Sequence, residues 1–99
     1  MWVAILRLDL TIPGARSLKD RRQVVKSLQE RLISRFGVSC AEVGELEAWT
    51  RASLGVAVCG KERSRLQHLA EDIVRYATQD AQALLGSSEK DLFRFGADA

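Results

Sequence analysis

The sequence predicts an α+β fold, and three observations support this. The chain opens with alternating apolar residues, it contains two stretches with apolar residues at helical spacing, and strand-like runs stand between and after those stretches. The resulting order is that of the ferredoxin-like βαββαβ fold. Right-handed crossovers would place both helices on one face of a four-stranded antiparallel sheet and leave the other face open. With 46% hydrophobic residues, residues 1–99 are expected to form one domain.

The first predicted element is a strand over residues 2–12. One of its faces is entirely apolar, which is typical of a strand buried on one side; this face consists of Ala4, Leu6, Leu8, Leu10 and Ile12. The opposite face begins with Val3 and Ile5 and then becomes polar. We therefore expect an apolar patch at one end of the open sheet face.

The second predicted element is a helix over residues 17–36. Gly14 supplies the turn before it, and Ser17 together with Asp20 forms a capping signal at its start. Gly37 is placed to end the helix. The predicted core face of this helix consists of Leu18, Val25, Leu28, Leu32 and Phe36.

Two further strands are predicted over residues 38–43 and 52–59. Glu42 lies in the first of these runs, where its carboxylate needs a partner. We expect it to pair with Arg7 or Arg51 across the sheet, because opposite charges on neighbouring strands stabilise each other.

The last two predicted elements are a second helix over residues 62–81 and a short closing strand over residues 91–95. The helix has an apolar stripe at helical spacing, which consists of Leu66, Leu69, Ala70, Ile73, Val74 and Ala77. Residues 86–88, Gly-Ser-Ser, are predicted to form the loop that precedes the closing strand.

The cysteines and the histidine predict neither a metal site nor a bound cofactor. Cys40 and Cys59 lie in strand-like runs, so both are expected to be buried, reduced thiols, with a cross-strand disulfide as the alternative. His68, the single histidine, lies opposite the apolar stripe of the second helix and is expected to be exposed. Trp49 is expected to pack at the end of the sheet. No catalytic residue is predicted.

Positive charge is concentrated in the first helix and the loop before it. Residues 12–36 contain seven basic and two acidic residues, a net charge of +5, whereas the whole chain carries +2. We expect an anion to bind here, with Arg16 and the helix start as the main contact. The predicted contact residues are Arg16, Lys19, Arg21, Arg22 and Lys26. The alternative is a solvated helix face whose long basic side chains cover the margin of the core.

Over residues 6–60 the chain resembles the YlxP-like family of small bacterial proteins of unknown function. The resemblance depends on residues 6–8, 12–22, 24–28, 41–44 and 54–58 and on Trp49, and its most specific part is Ser-Leu-Lys-Asp at residues 17–20 after Pro-Gly. It implies a ferredoxin-like fold. The genes of this family often lie among those for transcription elongation and translation initiation factors and a ribosome-binding factor, which implies a role near the ribosome or its RNA.

The first functional hypothesis is an RNA- or ribosome-associated binding module whose basic helix contacts phosphates of ribosomal RNA. The sheet would contribute little, because Ser53, Gly55 and Ala57 replace the aromatic residues on which RNA-recognition motifs stack bases. No secretory signal is apparent, and no apolar run approaches the roughly 20 residues of a membrane helix. We therefore expect a cytoplasmic protein without a membrane partner.

Two other hypotheses remain open. One is a protein-interaction or scaffold module that meets an acidic protein with its basic helix and forms a homodimer through the open sheet face, at Val3, Ile5, Gly55 and Ala57. The other is a phosphate-binding enzyme similar to the acylphosphatases, which would use residues 14–18. The chain contains no asparagine, and the loop lacks the several glycines that such enzymes use. We therefore expect a protein that binds rather than an enzyme.

Overall fold

A computed structural model describes residues 1–44, 48 and 50–96 of the chain. Its elements are β1 (Trp2–Thr11), α1 (Leu18–Phe36), β2 (Ser39–Val43), β3 (Arg51–Gly60), α2 (Arg63–Thr78) and β4 (Leu84–Arg94). The strands form one sheet in the order β2-β3-β1-β4, and all neighbouring strands are antiparallel. The predicted ferredoxin-like fold is confirmed. Trp49, which was expected to pack at the end of the sheet, lies outside the described residues.

The core lies between one face of the sheet and the two helices. The face of β1 that was predicted to be buried is buried throughout; it consists of Ala4, Leu6, Leu8, Leu10 and Ile12. In α1 the buried residues are Arg21, Val25, Leu28 and Leu32, at spacings of four, three and four. Leu18 was predicted to belong to this face, but its side chain is 52% exposed in the first turn. Arg21, which was predicted to be a contact residue for an anion, instead forms the first position of the buried stripe.

Both ends of α1 are capped as the sequence predicts. At the start, the Ser17 side chain accepts a hydrogen bond from the Asp20 amide at 3.1 Å. At the end, Gly37 adopts the left-handed conformation with φ 65°, and its N–H donates to the Ile33 carbonyl at 2.9 Å.

The end of the chain differs from the prediction. Strand β4 begins at Leu84 rather than at residue 91, so residues 86–88 are part of the sheet and not a loop. Ser87 and Ser88 pair with β1, and the register shifts between Asp9 and Leu10. Helix α2 correspondingly ends at Thr78 instead of residue 81. In the described residues the outer edge of β4 pairs with no other strand, and its middle carries three consecutive charges, Glu89-Lys90-Asp91.

The sheet face opposite the helices is open in the described part of the chain. Its apolar end carries Val3, Ile5, Ala57, Cys59 and Phe93, and its polar end carries Arg7, Asp9, Ser53 and Ser87. On the edge strand β4 the same face also carries Asp91, opposite Ile5, and Glu89, opposite Arg7. The expected apolar patch is therefore present. The expectation that both cysteines are buried is wrong for Cys59, because this residue lies on the open face and is exposed. Cys40 is buried, burial raises the pKa of its thiol, and both cysteines are free.

Candidate nucleic-acid interface

The loop before α1 is held by hydrogen bonds to the helix start. The Ala15 amide donates to the Ile12 carbonyl at 3.1 Å, and the Arg16 amide donates to the Asp20 carboxylate at 3.1 Å. The Asp20 carboxylate thus satisfies the amide just before the N-cap residue Ser17, and the Ser17 hydroxyl satisfies the amide of Asp20 in the first turn. The backbone N–H of Arg16, which was expected to face an incoming anion, already has a carboxylate partner. This amide is therefore not free to bind an anion.

Four basic side chains project into solvent along the start of α1, and we call them the basic flank: Arg16, Lys19, Arg22 and Lys26. The last three are spaced at i, i+3 and i+7, so they share one side of the helix. Lys26 has a long contact with Glu30, 3.9 Å between Nζ and Oε1, with both side chains more than half exposed. Such a pair contributes little, since surface ion pairs are typically worth less than about 1 kcal/mol. Among the residues that the structure describes, the other three have no ion pair.

Arg21 was predicted to belong to this contact surface, and the structure places it elsewhere. Its side chain is only 7% exposed, forms an ion pair with Glu42 on β2 and donates from Nε to the Arg51 carbonyl at 2.7 Å. Glu42 was expected to pair with Arg7 or Arg51, and this expectation is wrong, because its ion-pair partner is Arg21. Arg21 is buried because it occupies the core-facing side of α1, one turn before Val25. It ties α1 to β2 and β3 and is not available to an anion in solvent.

The basic residues at the far end of α1 are also bound within the molecule. Arg31 donates to the Asp80 carboxylate at 2.7 Å and to the Tyr76 hydroxyl at 3.2 Å. The Arg35 guanidinium lies over the Tyr76 ring, 5.0 Å from its centroid, and the Phe36 ring meets Tyr76 edge-on at 5.7 Å. This cluster could not be predicted from the sequence, because its members on α1 are 40 or more residues away from Tyr76 and Asp80.

A cleft of about 320 Å³ opens beside the basic flank, between the loop that precedes α1 and the loop that follows α2. Its polar side chains are those of Asp20, Gln23 and Gln82, and the rest of the lining is apolar or backbone. Among the described residues, its lining contains one carboxylate and no cation. A phosphate would therefore be repelled here, which distinguishes the cleft from the basic flank next to it.

A second polar group, at the polar end of the open sheet face, was only partly foreseen. Asp9 accepts hydrogen bonds from Ser53 at 2.6 Å, from Arg7 Nε at 3.1 Å and from Ser87 at 3.1 Å. The hydrogen bond from Ser53, followed by that from Arg7, holds the pKa of Asp9 below its ordinary value of 3.8. The network joins three strands. Ser87 belongs to it because β4 is longer than predicted.

The architecture and the surface together define a class of protein: a ferredoxin-like α+β domain with one exposed basic helix flank and one uncovered sheet face. The chain belongs to the family described as "Protein of unknown function (DUF503)", whose model matches residues 3–89. Over 74 residues it is 27% identical to the "Uncharacterized protein YlxP" of Bacillus subtilis (strain 168), across 75% of this chain and 80% of that relative. The resemblance to the YlxP-like family is confirmed.

Two solved structures share the fold. The de novo designed protein Foldit4 superimposes with a TM-score of 0.56 at 14% identity, covering 96% of this chain and 98% of the design. SnoaB, a cofactor-independent oxygenase from Streptomyces nogalater, superimposes with a TM-score of 0.51 at 14% identity, covering 98% and 95%. At such identities the likeness concerns the fold alone. Neither helix of the described chain is long and apolar enough to cross a membrane.

Proposed function

We propose that this protein is an RNA-binding module of the cytoplasm that contacts phosphates of ribosomal RNA through its basic flank. The observation that supports the proposal is that the basic residues of α1 and its preceding loop fall into two groups, those bound by other protein groups and those that extend into solvent. Arg21, Arg31 and Arg35 are engaged by protein groups, whereas Arg16, Lys19 and Arg22 extend into solvent without an ion pair to any described residue. Four cations within eleven residues form a compact positive surface of the kind that releases counterions from nucleic acid.

The proposed contact is with the backbone of the RNA rather than with its bases. The flank consists of flexible lysine and arginine side chains, which bind phosphates but carry little sequence information. The open sheet face has Gly55 and Ala57 at its centre, where base-stacking modules place aromatic rings. We therefore expect weak sequence discrimination. The position of the genes of the family near those for translation factors supports ribosomal RNA as the partner.

Binding, rather than catalysis, is the role that this geometry favours. The Arg16 amide already binds the Asp20 carboxylate, so a phosphate bound by the loop amides would meet a negative charge. This counts against the acylphosphatase-like alternative, which requires free loop amides beside the arginine.

A second candidate is a protein-interaction module that binds an acidic protein with the same helix. It is favoured by two apolar side chains that α1 exposes beside its charges, Leu18 at 52% and Ile33 at 40%. A protein partner could bury these apolar groups, whereas an RNA backbone would not. Nuclease treatment separates the two candidates, since only a protein contact survives it.

The test is co-sedimentation with ribosomal subunits over a series of salt concentrations. The test variant is Lys19→Glu, Arg22→Glu, Lys26→Glu, and the matched control is Lys61→Glu, Arg65→Glu, Lys90→Glu, which reverses three exposed cations outside α1 and gives the same net charge. The unaltered protein should bind more weakly as salt rises. The test variant should lose at least about tenfold in affinity and show a shallower salt slope, by roughly 0.7 for each lost contact to a single strand.

The control variant should keep most of its binding. Equal loss in both variants would show that net charge alone matters and that the basic flank is not the site. No binding at low salt by a folded protein would overturn the proposal. Binding that survives nuclease would favour the acidic protein partner.

A further inference from the structure

We propose that a second copy of this chain covers the open sheet face, with the two sheets packed face to face about a two-fold axis that runs along the strands between β1 and β3. The proposal is independent of RNA binding, because the helices and the basic flank lie on the other side of the sheet. It depends on the sizes of the side chains that the face presents and on where they lie.

The two halves of the open face differ in the size of their side chains. On the half formed by β1 and β4, three large apolar side chains project outward, those of Val3, Ile5 and Phe93; the last two are 42% and 37% exposed. Glu89 and Asp91 of β4 project from the same half, at its outer edge. On the half formed by β3 and β2, the corresponding side chains are small and consist of Ala57, Gly55, Ser39 and Ala41. A furrow of about 360 Å³ runs over this second half, with Ile5 on one side and Val43 on the other.

Gly55 keeps this furrow open. A Cβ atom at this position would lie 2.9 Å from Cγ1 of Val43, closer than side chains pack. The Val43 side chain therefore lies over the glycine and closes one end of the furrow. The remaining floor, at Ala57 and Ala41, is flat and apolar.

A two-fold axis between β1 and β3 brings unlike halves together. It lays β1 of one copy over β3 of its partner, so Val3 and Ile5 of each copy meet the smaller Cys59 and Ala57 of the other. It also lays β4 over β2, which places Asp91 and Glu89 over Ser39 and Ala41 at the rim. Ile5 then lies above Ala57 of the partner copy, because these residues are direct cross-strand neighbours within one chain. An isologous interface must be self-complementary, and this face meets that requirement. Two twisted sheets pack in this aligned manner with an angle of about −30°.

The same axis keeps the polar ends of the two faces together. Asp9 is already bonded to Arg7, Ser53 and Ser87. Glu89 and Asp91 also lie on this face, and as residues of the edge strand β4 they stay at the solvent-exposed rim of the interface. Three strands of ten or eleven residues and one of five, spaced about 4.8 Å apart, give a face of roughly 500 Å². Each partner in a standard stable interface contributes about 800 Å². We therefore expect a dimer that dissociates on dilution.

The first test compares Ile5→Glu with Ile33→Glu by sedimentation equilibrium over a range of protein concentrations. The two isoleucines are equally exposed, at 42% and 40%, but only Ile5 lies on the open face. The unaltered chain should approach twice its mass of 11.0 kDa as concentration rises. Ile5→Glu should remain at 11.0 kDa, and Ile33→Glu should behave as the unaltered chain does. A monomer at every concentration, or an unchanged dimer in Ile5→Glu, would overturn the proposal.

The second test examines the arrangement itself through an exchange of large and small side chains. Ile5→Ala removes the projecting group and Ala57→Ile fills the furrow, so each single variant should weaken dimerisation by about tenfold or more. The double variant Ile5→Ala, Ala57→Ile only interchanges the two halves and should dimerise again. It should not pair with the unaltered chain, because large side chains would then meet large ones.

Both positions are exposed, so far-UV circular dichroism should report an unchanged fold in the two single variants and in the double variant. A double variant as monomeric as the singles would overturn the two-fold axis proposed here. Free mixing between the double variant and the unaltered chain would do the same, since it would show that the interface does not distinguish the halves.

Discussion

At the scale of single residues, Arg21 shows that the same residue type serves two purposes within one turn of helix. Arg21 and Arg22 are neighbours in a basic run, yet Arg21 is buried against Glu42 while Arg22 is exposed. The sequence could predict the total charge of the run but not this division. Burial of Arg21 depends on the exact rotation of α1 and on the presence of Glu42 on β2, twenty-one residues away.

We predict that Arg21→Met lowers the free energy of unfolding by about 2–3 kcal/mol, because it leaves the Arg51 carbonyl and the Glu42 carboxylate without their partner. Arg22→Met is the matched control and should change the stability by no more than about 0.5 kcal/mol. Urea unfolding of the two variants measures the difference. Similar stability of both would mean that the ion pair contributes no more than a surface contact does.

At the scale of elements, Asp80 joins α1 to the segment between α2 and β4. Its carboxylate accepts hydrogen bonds from the Gln82 and Ala83 amides at 2.9 and 2.8 Å and from Arg31 at 2.7 Å. This turn explains why α2 ends early and β4 begins early. The glycine and serine content of residues 86–88 predicted a loop, but these residues are part of β4. Their small side chains allow the strand to accommodate the register shift beside Asp9.

We predict that Asp80→Asn destabilises the protein by about 1–2 kcal/mol at neutral pH, through loss of the charge-assisted hydrogen bond to Arg31. Burial raises the pKa of Asp80, but the hydrogen bonds from Ala83, Arg31 and Gln82 outweigh this and hold its pKa below 3.8. A carboxyl whose pKa is lowered on folding stabilises the protein above the unfolded pKa, and it loses this effect as pH falls through the folded pKa.

The difference between the unaltered chain and Asp80→Asn should therefore be constant above about pH 5 and should disappear as the pH falls below 3.8. Asp72→Asn is the control, since its carboxylate is 53% exposed and, within the described part of the chain, pairs only with Arg75 on the same helix. Chemical unfolding at several pH values measures both. A difference that persists at the lowest pH would indicate that the side-chain shape, and not its charge, holds the turn.

At the scale of the whole molecule, the patterns that repeat along the chain were sufficient to predict the fold. They were not sufficient to predict the contacts between distant segments. Alternation in β1 and helical spacing in α1 and α2 each report which face an element buries, so they predict the sheet and its covering layer. The basic flank was predicted for the same reason, because Lys19, Arg22 and Lys26 follow the helix period. The partners of Arg21, Arg31 and Asp9 could not be predicted, since they depend on how the elements meet.

The charged outer edge of β4 has a consequence for the behaviour of the protein at high concentration. An open strand edge can recruit the same strand of another molecule and start a fibril. If two β4 strands pair about a two-fold axis through Lys90, lysine meets lysine and Glu89 meets Asp91; an axis through either acid brings that acid against itself. Like charges opposite each other destabilise a strand pair by up to about 1 kcal/mol each. We expect Glu89→Thr, Lys90→Thr, Asp91→Thr to remove this protection and to form thioflavin-positive fibrils under conditions in which the unaltered protein stays clear.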